Sequence, residues 1–111
     1  MTNEISFQQE RSRSWVKTEP GVERMIMGYN NDLMMVKVKF QKNAVGALHS
    51  HMHIQSSYIA EGSFEVTIDG KTSLLHAGDT FFVGPDLLHG VVCIEEGLLI
   101  DVFHPCREDF L

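Results

Sequence analysis

The chain has little with which to cross-link itself, cross a membrane or bind a polyanion. Two cysteines among 111 residues, Cys93 and Cys106, cannot make a disulfide framework. In a reducing compartment they are expected as thiols, and Cys93, inside the apolar run Val91-Val92-Cys93-Ile94, reads as a core residue. No apolar run reaches the ~18 residues that a membrane span needs. Met1 to Arg13 also lacks the apolar stretch of a signal peptide, so the expected location is the cytoplasm, with no membrane partner. Basic residues are in the minority: nine Lys and Arg against 15 Asp and Glu give a net charge of −6. A phosphate backbone needs a basic patch, so nucleic acid is not an expected partner. Convincing helical periodicity is missing as well. One short helix is expected in the polar stretch Ser6 to Ser14.

What is present is strand pattern. Met34 to Phe40 alternates, with Val36, Val38 and Phe40 on one face and Lys37 and Lys39 on the other. Tyr29-Asn30-Asn31-Asp32 is a turn, which predicts that Val22 to Gly28 pairs with that strand as a hairpin. Ser63 to Asp69 alternates again, and Asp69-Gly70 is a strong two-residue hairpin signal leading into Lys71 to His76. Ala77-Gly78-Asp79 breaks that strand, and Thr80 to Val83 forms the next. His89 to Ile94 and Leu98 to Phe103 are expected as two strands joined by Glu95-Glu96-Gly97. Short strands at even spacing indicate an all-β sandwich or small barrel in one domain. Residues 1–20 read as an amino-terminal arm and 21–111 as the barrel.

The chemistry is concentrated in His49-Ser50-His51-Met52-His53-Ile54-Gln55, which holds three of the six histidines, and in His89 further on. Neutral imidazole offers a lone pair without first losing a proton, which makes it the commonest metal ligand. In an extended segment residues two apart share a face, so His49 and His51 would converge. Gln55 and His89 are the natural third and fourth ligands. His53 shares their parity, but a turn near Met52 would send it elsewhere. The alternative is that these are ordinary polar side chains of a β-rich surface.

These residues resemble the two motifs of the cupin family. The first reads Gly46, His49-x-His51, Gln55 and Gly62; the second reads Gly78-Asp79, Gly84-Pro85-Asp86 and His89. The resemblance covers about Val22 to Leu111. It implies a double-stranded β-helix, or jelly-roll barrel, with a divalent transition metal inside. Iron, nickel, zinc or manganese would suit such ligands. Gln55 stands where the family usually has glutamate. Four neutral ligands would leave the metal its full +2 charge, so that it favours anionic ligands and acts as a Lewis acid.

A narrower resemblance runs through Trp15, Pro20-Gly21-Val22, Leu33-Met34 and the closing stretch Leu99 to Leu111. These are similar to the KdgF group of small cupins, which linearise the 4,5-unsaturated uronates left by pectate and alginate lyases. The resemblance implies metal ligation by His49, His51, Gln55 and His89. It also implies catalytic roles for Asp101, Phe103 and Arg107. The residue types are compatible: Asp101 and Phe103 share strand parity, and arginine can grip a carboxylate with two parallel hydrogen bonds. The plainer alternative is a surface Asp101–Arg107 ion pair with Phe103 in the core. Tyr58, Met25, Met27, Met35 and Phe82 are candidates for cavity wall or for core. The leading expectation is a non-redox, metal-dependent enzyme acting on a small anionic sugar acid, and the resemblance also implies a second copy as partner, since family members are commonly homodimers. The alternatives are an iron-dependent dioxygenase on a small organic acid, and a metal- or ligand-binding cupin without catalysis.

Overall fold

The alternating segments fold into strands that wrap one interior. The protein was analysed as a computed structural model that describes residues 4–111, so the start of the expected arm, residues 1–3, lies outside the described residues. The strands are β1 (Val16–Glu19), β2 (Val22–Tyr29), β3 (Met34–Phe40), β4 (Val45–His49), β5 (Ile54–Ile68), β6 (Lys71–His76), β7 (Thr80–Val83) and β8 (His89–His104). The helix expected over Ser6 to Ser14 shrinks to one 3-10 turn, Glu10–Ser12, with no buried residue. A polar segment with no apolar stripe has nothing to hold a longer helix against the barrel. Val16–Glu19, inside the segment read as an arm, pairs with β2 as β1.

Two long strands organise the barrel. β5 and β8 run antiparallel along their whole lengths, from Ile54 opposite His104 to Ile68 opposite His89. One half of the pair is flanked by β3 and β7, the other by β4 and β6. β1 and β2 extend the β3 side. The jelly-roll expectation therefore holds, but two strand assignments change. Ser63 to Asp69 is only the second half of β5, and His89 to Ile94 and Leu98 to Phe103 are a single strand. The Glu95-Glu96-Gly97 stretch is an irregularity within β8, facing a shifted register between Ile59 and Phe64. Gly62 takes φ +80° there, and a Cβ on it would collide with the Glu95 and Glu96 carbonyl oxygens. The shift changes which residues of β5 face inward: Gln55, Ser57 and Ile59 before it, Phe64 and Val66 after it. The Asp69-Gly70 turn is as expected, with φ of 49° and 80°. Two positive values are what a type I′ hairpin requires.

The core is built on Phe40, Ile59, Phe64, Val83, Cys93 and Leu99, with the Phe40 and Phe64 rings edge to face at 5.2 Å. A second cluster joins Met34, Val36, Phe103 and Cys106. Both cysteines are free and buried. Between the sheets a cavity of about 330 Å³ remains, with Val22, Phe40, Phe81 and Leu99 on its apolar wall. None of the five large side chains read from sequence as cavity wall or core lines it, and only Met25 and Met27 are buried. Tyr58, Met35 and Phe82 point outward and are exposed. In β7 the register places Phe81 opposite inward Ser57, which turns Phe82 out. Met25 and Met27 are buried, but on the outer side of the sheet, Met25 opposite Lys37. The amino-terminal segment is pinned over that side by a Lys37–Glu10 ion pair at 2.8 Å and by Arg13 Nε donating to the Ile26 carbonyl. Among the described residues no helix is long and apolar enough to cross a membrane.

Candidate metal centre and its cavity

His49 and His89 face each other across the β4–β8 ladder, with ring centroids 4.4 Å apart. His51 lies beyond the end of β4, in the loop that leads to β5, and its ring stands 4.7 Å from that of His89. The convergence of His49 and His51 is therefore a product of strand end plus loop, not of strand parity. One ring nitrogen from each of the three histidines lies within 4.8 Å of the others, a group able to hold a metal ion. His89 is buried, His51 half-buried and His49 exposed.

Each ring is oriented the same way. Nδ1 of His49 meets the Ala47 carbonyl at 2.8 Å, Nδ1 of His51 the His53 carbonyl at 3.0 Å, and Nδ1 of His89 the Leu87 carbonyl at 2.9 Å. A carbonyl only accepts, so each Nδ1 carries the proton and, in the neutral ring, each Nε2 carries the lone pair. Burial, the largest influence on both, pushes His51 and His89 below the ordinary histidine range, toward that neutral form. Backbone bonds of this kind fix ring tautomer in metal sites.

Two further observations favour a cation at this point. Nε2 of His89 is buried without a hydrogen-bond partner. Nε2 of His51 lies 3.1 Å from Oε1 of Gln55, and with both as acceptors no proton joins them. The amide is held that way round because its Nε2 donates to Ser57 Oγ at 2.9 Å. An orphaned lone pair and two facing acceptors are costly in a barrel interior and are reconciled by a positive ion. The residues present thus fit a divalent metal with nitrogen and oxygen ligands.

His53 does not join the group. Its carbonyl orients His51, while its ring Nε2 donates to the Cys106 carbonyl at 3.2 Å. Cys93 lies in the core, its thiol donating to the Glu95 carbonyl at 3.0 Å.

The three C-terminal candidates share the cavity with His49, Gln55 and His89, and Phe103 also reaches His51. Asp101 pairs with Ser57 across the β5–β8 ladder, and Ser57 Oγ donates to Asp101 Oδ1 at 2.6 Å. Burial pushes the Asp101 carboxyl up to about 6, against the opposing effects of Ser57, Arg107 and His49. Phe103 packs edge-on against His51 at 5.8 Å. Arg107 is not ion-paired with Asp101. Its Nε and Nη2 grip the two carboxylate oxygens of Asp109 at 3.0 and 2.8 Å. Sequence reasoning missed Ser57, Asp109, Phe110 and Arg24, all of which bear on the site. Ser57 had a visible signal, since it lies two residues from Gln55 and shares its face. The others come together only through the fold.

Comparison with known proteins agrees with this architecture. A family model described as Cupin domain matches residues 36–103. The chain is 46% identical over 99 residues to the pectin degradation protein KdgF of Dickeya dadantii (strain 3937), covering 87% of this chain and 90% of that protein. An RmlC-like cupin from Shewanella frigidimarina superposes with a TM-score of 0.94 at 43% identity, covering 99% of this chain and 98% of that one. KdgF from Halomonas sp. superposes with a TM-score of 0.92 at 40% identity, covering 96% and 99%. With the barrel, both motifs and these matches in agreement, the chain belongs to the cupin family and is similar over most of its length to KdgF.

Proposed function

We propose that this protein is a metal-dependent enzyme that linearises 4,5-unsaturated uronates, with His49, His51, Gln55 and His89 as metal ligands and Asp101, Phe103 and Arg107 facing the sugar. The observation that carries the reading is the shared cavity. His49, His89 and the Gln55 amide line it beside a buried acid, an aromatic ring and an arginine, and His51, its tautomer also fixed by a carbonyl, adjoins them through His89 and Gln55. Similarity to KdgF, one relative of which is named as a pectin degradation protein, supports a uronate as the ligand.

The reaction is an isomerisation. The anomeric hydroxyl loses its proton as the bond between the anomeric carbon and the ring oxygen breaks, which leaves an aldehyde and an enol. The enol then loses its hydroxyl proton and gains one at carbon four, giving a ketone. Nothing is oxidised or reduced overall. A divalent metal supplies a Lewis-acid centre for the sugar oxygens. Asp101, with its carboxyl near 6, is suited both to take and to return a proton close to neutral pH. Ser57 holds Oδ1 and so fixes the direction from which Asp101 acts. Phe103 offers an apolar surface to the sugar ring, and Arg107 places a cation at the cavity wall.

The test is loss of the double-bond absorbance of unsaturated galacturonate, or its alginate counterpart, after the protein is supplied with Fe, Ni, Zn or Mn. Wild type should exceed the spontaneous rate. A His51→Ala/His89→Ala variant should lose both the acceleration and the metal found by elemental analysis. No acceleration with any of the four metals rejects the uronate reading. Oxygen consumption with a small organic acid would replace it with a dioxygenase.

A further inference from the structure

Arg24 was not singled out by any motif, yet its side chain reaches the cavity wall from β2. It lies on the inner face, opposite Val38, which in turn stands opposite Leu99. Asp101 is in the neighbouring row, opposite Val36 and, through it, Ile26. Two strand spacings across and two residues along separate Arg24 from Asp101, roughly 12 Å between Cα atoms. An arginine side chain and one sugar ring together bridge that span.

The guanidinium is placed but uncommitted. Its Cζ lies 3.7 Å from the centroid of the Phe110 ring, and Cζ of Arg107 lies 4.1 Å from the same ring. The 3-10 turn Glu108–Phe110 carries that ring to the wall. Arg107 already holds Asp109 with two donors, which leaves it little free charge. Among the described residues Arg24 has no carboxylate within salt-bridge distance and donates no side-chain hydrogen bond, although Glu19 is also on the wall. Burial and the nearby Arg107 cation both bear on Arg24, lowering its pKa from the usual arginine value, and Asp109 opposes them weakly. Two guanidiniums thus crowd one ring, with one carboxylate between them, in a chain whose net charge is −6. Like charges held together in a cavity wall call for an anion.

We propose that Arg24 receives the carboxylate of the ligand, with Arg107 as a second, largely neutralised arm, both held against Phe110. The identity of the sugar rests on the uronate reading; the carboxylate site is tested apart from the reaction. The probe is galacturonate, which lacks the reactive double bond, with galactose as the neutral control, titrated calorimetrically into the protein as isolated. Arg24→Ala should weaken galacturonate binding about tenfold or more, as loss of a charge-assisted hydrogen bond implies. Arg24→Lys should keep part of the affinity, because it retains charge but not the two-pronged geometry. Galactose binding should be equal in all three proteins. In turnover with unsaturated galacturonate, Arg24→Ala should raise KM more than it lowers kcat. Equal galacturonate affinity in wild type and Arg24→Ala overturns the proposal, as does a wild type that does not bind galacturonate. A wild type that binds galacturonate through Arg24 but opens no unsaturated uronate would sustain the carboxylate site and reject the uronate reaction.

Discussion

A carboxyl group buried in a barrel wall destabilises the fold unless it keeps its proton or finds donors. Asp101 has one donor, Ser57, and burial holds its carboxyl near 6 rather than at its ordinary 3.8. The sign follows from proton binding. Between about 4 and 6 the folded chain binds more protons than the unfolded chain, so stability falls as pH rises through that window and stays lower above it. Asp101→Asn removes the charge and leaves an oxygen for Ser57. In chelator-treated protein the variant should therefore melt higher than wild type at pH 8, by on the order of 2 kcal/mol, with the gap narrowing toward pH 4. Melting curves at several pH values decide it: a gap that is absent at pH 8, or that does not vary with pH, would refute the burial argument. The same substitution should lower kcat by roughly 10² to 10⁴ if Asp101 moves the proton. Stability and activity would then move in opposite directions at one residue. That opposition is invisible in the string Asp101-Val102-Phe103, because it depends on Ser57, 44 residues away.

At the scale of elements, the bend that lets β5 and β8 serve both halves of the barrel depends on close backbone approach. Gly97 sits against the Glu61 carbonyl oxygen, and a Cβ there would also lie 2.8 Å from Cε1 of the buried Phe64 ring. Gly97→Ala should cost about 3 kcal/mol or more, because neither a carbonyl in a ladder nor a core ring can step aside. Urea unfolding would test this; a midpoint equal to wild type would show that the bend tolerates a side chain. Ser63 Oγ donating to Glu95 Oε1 at 2.8 Å ties the two irregular stretches together. This is also where alternation stopped being a guide. It located β3, whose inward Met34, Val36 and Phe40 are buried, whereas β6, almost wholly exposed, was marked by the Asp69-Gly70 turn, which has chemistry of its own. Glu95-Glu96-Gly97 has the composition of a reversal, and a bulge uses the same residues as a turn, so one strand read as two. The candidate ligands were legible because histidines cluster rarely by chance. How they meet was not, since His51 is directed by the His53 carbonyl in a loop rather than by a strand. Arg24 and Phe110 were illegible for a related reason: their neighbours are brought together only by the ladder order.

At the scale of the molecule, one sheet face is left apolar on the side away from the cavity. Register aligns Phe82, Ser56, Val102 and Met35 in a row across β7, β5, β8 and β3. Tyr58 and Ile100 stand in the next row. Phe82, Tyr58 and Met35 are exposed by 62%, 46% and 42%, and Phe7, on the amino-terminal segment that crosses the outside of β2 and β3, by 90%. Isolated apolar side chains need no explanation, but Phe82, Val102, Met35, Tyr58 and Ile100 gathered on one face, interrupted by Ser56 and edged by Thr80 and Lys37, do. We propose that a second copy of this chain covers it. Four strands at about 4.8 Å spacing and two or three rows give a face of roughly 300 Å². A stable interface takes about 800 Å² from each partner, so the sheet face alone falls short. The amino-terminal segment must then contribute as well, with Phe7 seated on the partner in a two-fold arrangement. Sedimentation equilibrium at micromolar concentration should return about twice the 12.6 kDa of one chain. Phe82→Ser and Phe7→Ser, both at exposed positions, should each shift the protein toward monomer without lowering its metal content. If wild type sediments as one chain, the self-association is refuted. If it sediments as two and Phe7→Ser leaves that unchanged, the pairing uses a surface other than the one joined by the segment.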